Sequence, residues 1–198
     1  MSIKIRMADT ADCSEILSIY SPYVEDTSIS FEYETPSQEE FLQRIKDISQ
    51  EYPYLVCTNG DEIIGYAYAH RYGERAAYQW SAELSIYIRR DCRRMGLGRA
   101  LYTALMEILK LQNVYNVYGC VTYPNQPSEN LHEAMGFRRL GVFRSVGFKQ
   151  GSWRDVTWFE KNIIEYGEKP NPLKTIKEVD TAAVEEILCR CAKMIRSN

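Results

Sequence analysis

Apolar and polar positions change their period several times along the 198-residue chain, and each change marks an element. Ile3-Lys4-Ile5-Arg6-Met7 alternates as a half-buried strand does. Asp9-Thr10-Ala11-Asp12 then supplies a cap for a helix running to about Ser21. Residues 24–36 are polar and aromatic without a period and read as a loop centred on Ser30-Phe31-Glu32. Ser37-Gln38-Glu39-Glu40 matches a capping box, in which side chains at both ends of the first turn satisfy free N–H groups, and opens a helix to about Gln50. Strand-like runs at 54–58 and 63–68 flank Asn59-Gly60-Asp61, a hairpin signal because such residues accept the positive φ of a two-residue turn. A further strand is expected over 77–88. Leu101, Leu105, Ile108 and Leu109 recur at helical spacing. A strand at 117–122 follows, then a helix from about Gln126 to Met135 closed by Gly136. Strands at 137–149 and 153–160 surround Gln150-Gly151-Ser152.

Antiparallel strands leading into a strand-loop-helix unit predict an α/β (α+β) protein with a mixed, mostly antiparallel central sheet flanked by helices. One domain is expected over 1–165. Residues 166–198 form a linker, Tyr166-Gly167-Glu168-Lys169-Pro170-Asn171-Pro172, and an added terminal helix. That helix carries an apolar stripe of Val184, Ile187, Leu188, Cys191 and Met194/Ile195, suited to folding back onto the domain or to a subunit contact.

Composition narrows the class. Hydrophobic residues make up 45% and charged residues 26%, the balance of a globular chain with a full core. The net charge of −3 makes the arginine cluster at 89–99 a local feature and argues against nucleic-acid binding. No apolar run approaches the ~20 residues that span a membrane, and Met1-Ser2-Ile3-Lys4-Ile5-Arg6 has no signal-peptide core. The six cysteines lack a disulfide-framework spacing. With two histidines and no Cys-x-x-Cys, a zinc site is not expected, and Cys189-Arg190-Cys191 is too sparse for one. A cytoplasmic, metal-free protein without nucleic-acid or membrane partners is expected.

The chemistry centres on 83–106. The run Leu84-Ser85-Ile86-Tyr87-Ile88 feeds the basic loop Arg93-Arg94-Met95-Gly96-Leu97-Gly98-Arg99, which delivers the chain into a helix N-terminus. Free N–H groups and a partial positive charge there suit a phosphate. Gly98 is followed by Arg99-Ala100, so the Lys-Ser/Thr of a P-loop is missing, and the third glycine of a dinucleotide fingerprint is missing too.

Arg93-Arg94-Met95-Gly96-Leu97-Gly98 resembles the Arg/Gln-x-x-Gly-x-Gly/Ala loop of the GNAT acyl-CoA-dependent N-acetyltransferases. Asn125-x-x-Ser128-x-x-x-His132 followed by Gly136-Phe137 is similar to a second segment of that family, where Tyr often stands in place of His132. Leu131-His132-Glu133-Ala134-Met135-Gly136-Phe137, the run from Val146-Gly147-Phe148 to Trp153-Arg154-Asp155-Val156, Ala77-Tyr78-Gln79-Trp80-Ser81-Ala82-Glu83 and Ser30-Phe31-Glu32 resemble the phosphinothricin N-acetyltransferase branch. The resemblance covers about residues 3–162, and relatives in that branch usually stop soon after the last strand.

The resemblance implies a GNAT fold whose diverging strands admit acetyl-CoA as cosubstrate, held by Ile86, Tyr87 and Ile88, by Arg94, Met95, Gly96, Leu97, Gly98 and Arg99, and by Asn125. Arg93 is either structural or a partner of the 3′-phosphate. An amine must lose its proton before it attacks a thioester, and the resemblance puts Glu83 in the role of general base, through a water. Without the resemblance Glu83 reads as a surface strand carboxylate; Tyr78, Trp80 and Tyr87 are expected to desolvate it and raise its pKa. His132 shares a helix face with Asn125 and Ser128, where it is either catalytic, protonating the departing thiolate or orienting the acceptor, or structural. Asn125 doubles as a helix cap. Acceptor contacts are expected from Phe31, Glu32, Arg75 and Tyr78, with Arg75 favoured over Arg71 for a bidentate grip on a carboxylate or phosphinate. Cys92 and Cys120 are expected to be bland, with acetyl passing directly in a ternary complex. The expected reaction is acetylation of the α-amino group of a small amino-acid analogue such as phosphinothricin, methionine sulfone or methionine sulfoximine, by a homodimer. Another small amine, or a non-catalytic acyl-CoA-binding module, remains the alternative.

Overall fold

The computed structural model describes residues 3–196; the ends of the N-terminal run and of the terminal extension (1–2 and 197–198) lie outside them. Seven strands form one sheet in the order β1-β2-β3-β4-β5-β7-β6. They are β1 (Ile3–Met7), β2 (Tyr54–Asn59), β3 (Glu62–Arg71), β4 (Ser81–Ile88), β5 (Asn116–Tyr123), β6 (Arg138–Lys149) and β7 (Ser152–Asn162). Every neighbouring pair is antiparallel except β4–β5. The helices are α1 (Cys13–Glu25), α2 (Gln38–Glu51), α3 (Leu97–Leu111), α4 (Gln126–Ala134) and α5 (Thr181–Ala192).

Period-two alternation splits the sheet between two cores. Tyr54 and Val56 of β2 and Tyr66 of β3 face α1 and α2, where they meet Ile16, Tyr20, Phe41 and Ile45. Leu55, Cys57 and Ala67 face the other way, towards Leu101, Leu105 and Ile108 of α3. Buried on both sides, β2 has no solvent face to reveal its period.

Several boundaries differ from expectation for tertiary reasons. α1 runs through Pro22 to Glu25 rather than ending near Ser21. Buried Tyr23 and Val24 hold its last turn in the second core against the local cost of the proline. The strand expected over 77–88 begins only at Ser81, because Ala76–Tyr78 forms a 3-10 turn. The Ser37 capping box and the hairpin turn at Gly60 (φ 63°) follow their local signals.

The segment expected as a linker is strapped to the domain. Trp80 Nε1 donates to Asn171 O (2.8 Å), Asn113 Nδ2 to Pro172 O (2.7 Å), and Gln112 Nε2 to both Lys174 O (2.9 Å) and Glu51 O (2.7 Å). α5 lies on α3 and β1, with Val184, Ile187, Leu188, Cys191 and Ile195 inside the first core. Met194 stays 41% exposed, so the stripe turns Ile195 inward instead. Among the described residues, no helix is long and apolar enough to cross a membrane.

Candidate functional site

β4 and β5 pair only over Ser81–Glu83 and Asn116–Tyr118. Beyond that, β4 continues with β3 alone and β5 with β7 alone. The second half of β4 therefore turns a free edge towards a cleft of about 70 Å³, walled by Ser85, Ile86 and Tyr87 on one side and by Cys120, Thr122 and Asn125 on the other. Such an edge offers main-chain donors and acceptors to an extended ligand.

At the far end of β4 the chain enters α3 through Arg94 (φ 66°) and Gly96 (φ 89°), the N-cap. Ala100 N–H is the first to find a helical carbonyl, Gly96 O at 3.0 Å, which leaves those of Leu97, Gly98 and Arg99 for another acceptor. A Cβ on Gly98 would stand 3.0 Å from the Leu131 side chain, so this glycine lets α3 start close against α4. The arginines divide. Arg89 pairs with Glu62 and Asp91, Arg90 with Asp26, and Arg99 donates to Ala134 O at the end of α4 (3.3 Å). Arg93 and Arg94 are exposed and, among the described residues, lack a carboxylate partner. The charge of Arg94 is thus left open to solvent beside the α3 N-terminus, whereas the head of Arg99 is turned to a helix C-terminus, where its charge is also favoured.

Glu83 lies where β4 and β5 part. Burial raises its carboxyl above the ordinary value, and the charge of His70, its cross-strand partner, partly offsets that. Tyr118, opposite Glu83 on β5, stacks on Tyr72 (4.3 Å), against which Tyr78 packs edge-on (5.7 Å). Among the described residues, Tyr78 thus reaches the strand residue opposite Glu83 only through Tyr72. Trp80 is engaged elsewhere: its indole is bonded into the 166–172 strap. Tyr87 lies on the Glu83 face but packs deep, against Tyr20, Tyr23 and Tyr66.

His132 reaches the cleft from the opposite face of the sheet. Its ring is buried, stacked on Phe159 (4.8 Å) and edge-on to Tyr102 (5.5 Å). Nδ1 lies 2.8 Å from Ser128 O, which assigns the proton to Nδ1 and leaves Nε2 an acceptor. Among the described residues Nε2 has no hydrogen-bond partner, and it is aimed at Gly119, where an added Cβ would lie 2.3 Å from it. Burial lowers the imidazole pKa, so the ring is neutral near pH 7. A neutral ring with a bare Nε2 has no proton there for a thiolate, which favours the orienting or structural alternative for His132. Asn125 caps α4, its side chain accepting from Ser128 N–H (3.4 Å), and faces the cleft.

The loop between α1 and α2 covers the Glu83 side. Lys149 Nζ, buried at the end of β6, donates to Val24 O (2.6 Å) and Ser30 O (2.7 Å), and Thr122 Oγ1 donates to Ile29 O (3.1 Å). Phe31 packs where Gly147 has no side chain. Glu32 is already engaged, by Arg44 (2.5 Å) and the Tyr20 hydroxyl (3.1 Å), so the expected acceptor contact is instead a brace of this loop. Arg71 pairs with Glu51, whereas Arg75, exposed on its turn, has no ion-pair partner among the described residues. Sequence reasoning missed His70, Tyr102 and Thr122 as neighbours of the site. The register of β3 on β4, the packing of α3 and the parting of β5 from β4 bring them there, and no local motif signals any of these. Among the described residues, no three His, Cys, Asp or Glu side chains gather as a metal site would require.

Residues 5–158 match the GNAT acetyltransferase domain family. The chain is 31% identical over 177 residues to a phosphinothricin N-acetyltransferase of Streptomyces viridochromogenes, covering 89% of this chain and 96% of that protein. It is 34% identical over 166 residues to an L-methionine sulfoximine/L-methionine sulfone acetyltransferase of Pseudomonas aeruginosa, covering 82% and 96%. The crystal structure of a GNAT superfamily phosphinothricin acetyltransferase from Sinorhizobium meliloti, in complex with acetyl-CoA, superposes with a TM-score of 0.81 at 29% identity, over 89% of this chain and 99% of that one. A free strand edge that runs into a glycine-bearing helix N-terminus, together with a family match over most of its length, makes this chain a member of the GNAT acetyltransferase family.

Proposed function

We propose that this protein is an acetyl-CoA-dependent N-acetyltransferase acting on the α-amino group of an amino-acid analogue of the phosphinothricin, methionine sulfone or methionine sulfoximine type. The carrying observation is the half-open β4, with a desolvated carboxylate at its mouth and an anion cradle at its end. The cofactor's pyrophosphate lies against the free N–H groups of 97–99, with Arg94 adding charge. Its pantetheine amides take the free edge of Ile86, Tyr87 and Ile88 and the Asn125 carboxamide. The thioester then stands near Ser85, within reach of an amine held on the Glu83 side.

Glu83, through a water, removes the proton of the ammonium. The freed nitrogen attacks the thioester carbonyl, the C–S bond breaks, and the proton shed by nitrogen leaves with the sulfur to give coenzyme A and the amide. Base assistance of this kind contributes about 10²–10⁴-fold. Direct transfer fits Cys120, whose thiol, although open to solvent in the cleft wall, is pushed up to about 12 by partial desolvation and the nearby Glu83 charge. His132 orients the end of the cleft through Nε2. Arg75 takes the acceptor's anionic group, beside Tyr78 and under Phe31.

Two coarser features belong to the same reading. The outer strand β6 exposes Leu140, Phe143, Val146 and Phe148, with Trp153 nearby on β7, an apolar edge suited to a second copy of the chain in a homodimer. A cytoplasmic location is supported by the free thiols and by the use of acetyl-CoA as cosubstrate.

The test follows loss of thioester absorbance with a panel of amino acids, sulfones, phosphinates and polyamines. Turnover on phosphinothricin or methionine sulfone that disappears in Glu83→Gln supports the reading. Turnover confined to polyamines would move the acceptor class, and acetyl-CoA binding without turnover on any amine would overturn the enzyme in favour of a binding module.

A further inference from the structure

The last described residues run back to the loop that opens α3. Arg196 N–H donates to Met95 O at 3.0 Å. A Cβ on Gly96 would stand 3.4 Å from Met194 O, so the tail lies directly along one side of the N-cap. The segment is held there from within. Cys191 and Ile195 are buried in the first core with Met95 and Leu97, and Arg190 pairs with Glu107 of α3. None of this belongs to the matched family region, which ends at residue 158.

The consequence follows from the geometry of a trans peptide, in which C=O and N–H point in opposite directions. Holding the Met95 carbonyl towards Arg196 turns the Gly96 N–H away from the tail. Like the N–H groups of Leu97, Gly98 and Arg99, it is claimed by no backbone carbonyl among the described residues. A peptide next to a glycine with φ of 89° rotates easily, and nothing else bonds this carbonyl among the described residues.

We propose that segment 194–196 is a positioning element for the acyl-CoA site: the Arg196 main-chain N–H fixes the Met95–Gly96 peptide so that its N–H faces the pyrophosphate. This rests on the assignment of the 94–99 loop to coenzyme A made above. The segment fills the role from beyond the matched residues 5–158, by main-chain contact rather than by the arginine side chain.

Arg196→Pro removes the N–H donor together with the side chain, and Arg196→Ala separates the two; Ile195, the residue a proline at 196 would restrict, lies beyond the end of α5. Titration of coenzyme A by calorimetry is expected to give a Kd raised about fivefold, the scale of one misdirected hydrogen bond. KM for acetyl-CoA rises in step, while kcat at saturating acetyl-CoA, KM for the acceptor and Tm stay as in the unmodified protein. Arg196→Ala keeps the N–H and is expected within twofold of the unmodified protein. An equal loss in Arg196→Ala assigns the effect to the side chain and overturns the proposal, as does an unchanged Kd in Arg196→Pro. Deuterium exchange separates the two levels. Protection of 94–99 by coenzyme A with no effect of Arg196→Pro refutes the tail's role alone, and absence of that protection refutes the loop assignment and the tail's role together.

Discussion

At the scale of single residues, environment decides what ordinary side chains do. Glu83 is one carboxylate among 27 acidic residues, yet the parting of β4 and β5 leaves it desolvated beside His70. Its raised pKa predicts an acid limb of kcat/KM above the ordinary carboxylate range, because activity is lost as pH falls through that value. His70→Ala removes a charge that lowers the Glu83 pKa, so the limb moves to higher pH. A carboxyl raised in the folded state binds its proton more tightly than the unfolded chain does. Its contribution to stability is therefore present at low pH and lost as pH rises from the ordinary carboxylate value through the raised one. Glu83→Gln, expected to lower kcat by about 10²–10⁴-fold, is accordingly expected to keep or raise Tm near pH 7, as thermal unfolding would report. Gly119→Ala tests the opposite face. Its Cβ would lie 2.3 Å from His132 Nε2 in a packed interior, which predicts a loss of about 1–3 kcal/mol in denaturant unfolding and a raised KM for acetyl-CoA. Glu83 and the glycines of the loop were legible from the sequence. The burial of His132 was not, because it depends on Gly119 and Phe159, contributed by strands β5 and β7.

At the scale of elements, the α1–α2 loop is held by groups from the other side of the sheet. The Lys149 ammonium has two carbonyls as partners, and burial lowers its pKa, so its charge is kept there by the loop it ties down. Lys149→Met leaves Val24 O and Ser30 O without that donor, at about 1–3 kcal/mol for each buried group. Because this loop covers the Glu83 side and not the α3 cradle, steady-state kinetics should show a KM raised for the acceptor and unchanged for acetyl-CoA. The capping box at Ser37 and the hairpin at Gly60 were readable because all their atoms lie within a few residues. The late start of β4 and the persistence of α1 through Pro22 were not, since strand pairing and core packing outweigh local preference there.

At the scale of the whole molecule, α5 completes the first core. Ile187 and Leu188 are buried there with residues of α3 and β2, so Leu188→Ala is expected to cost about 2–5 kcal/mol. Calorimetry should then record one cooperative transition at lower Tm, not early melting of a separate extension. Two transitions, the first involving α5 alone, would contradict a shared core.

By itself the sequence determined what short-range chemistry can determine: the order of strands and helices, the turns, the glycine-bearing helix start and the family to which those motifs point. Only the tertiary structure decided where β4 and β5 part, that Glu32 is consumed by Arg44, that Arg99 is turned to α4, and that the chain's last described residues return to Met95. The reason is physical. Each of those outcomes depends on a partner many residues distant, brought near only once the two cores have formed, and a linear pattern carries the period of an element but not the identity of what it will touch.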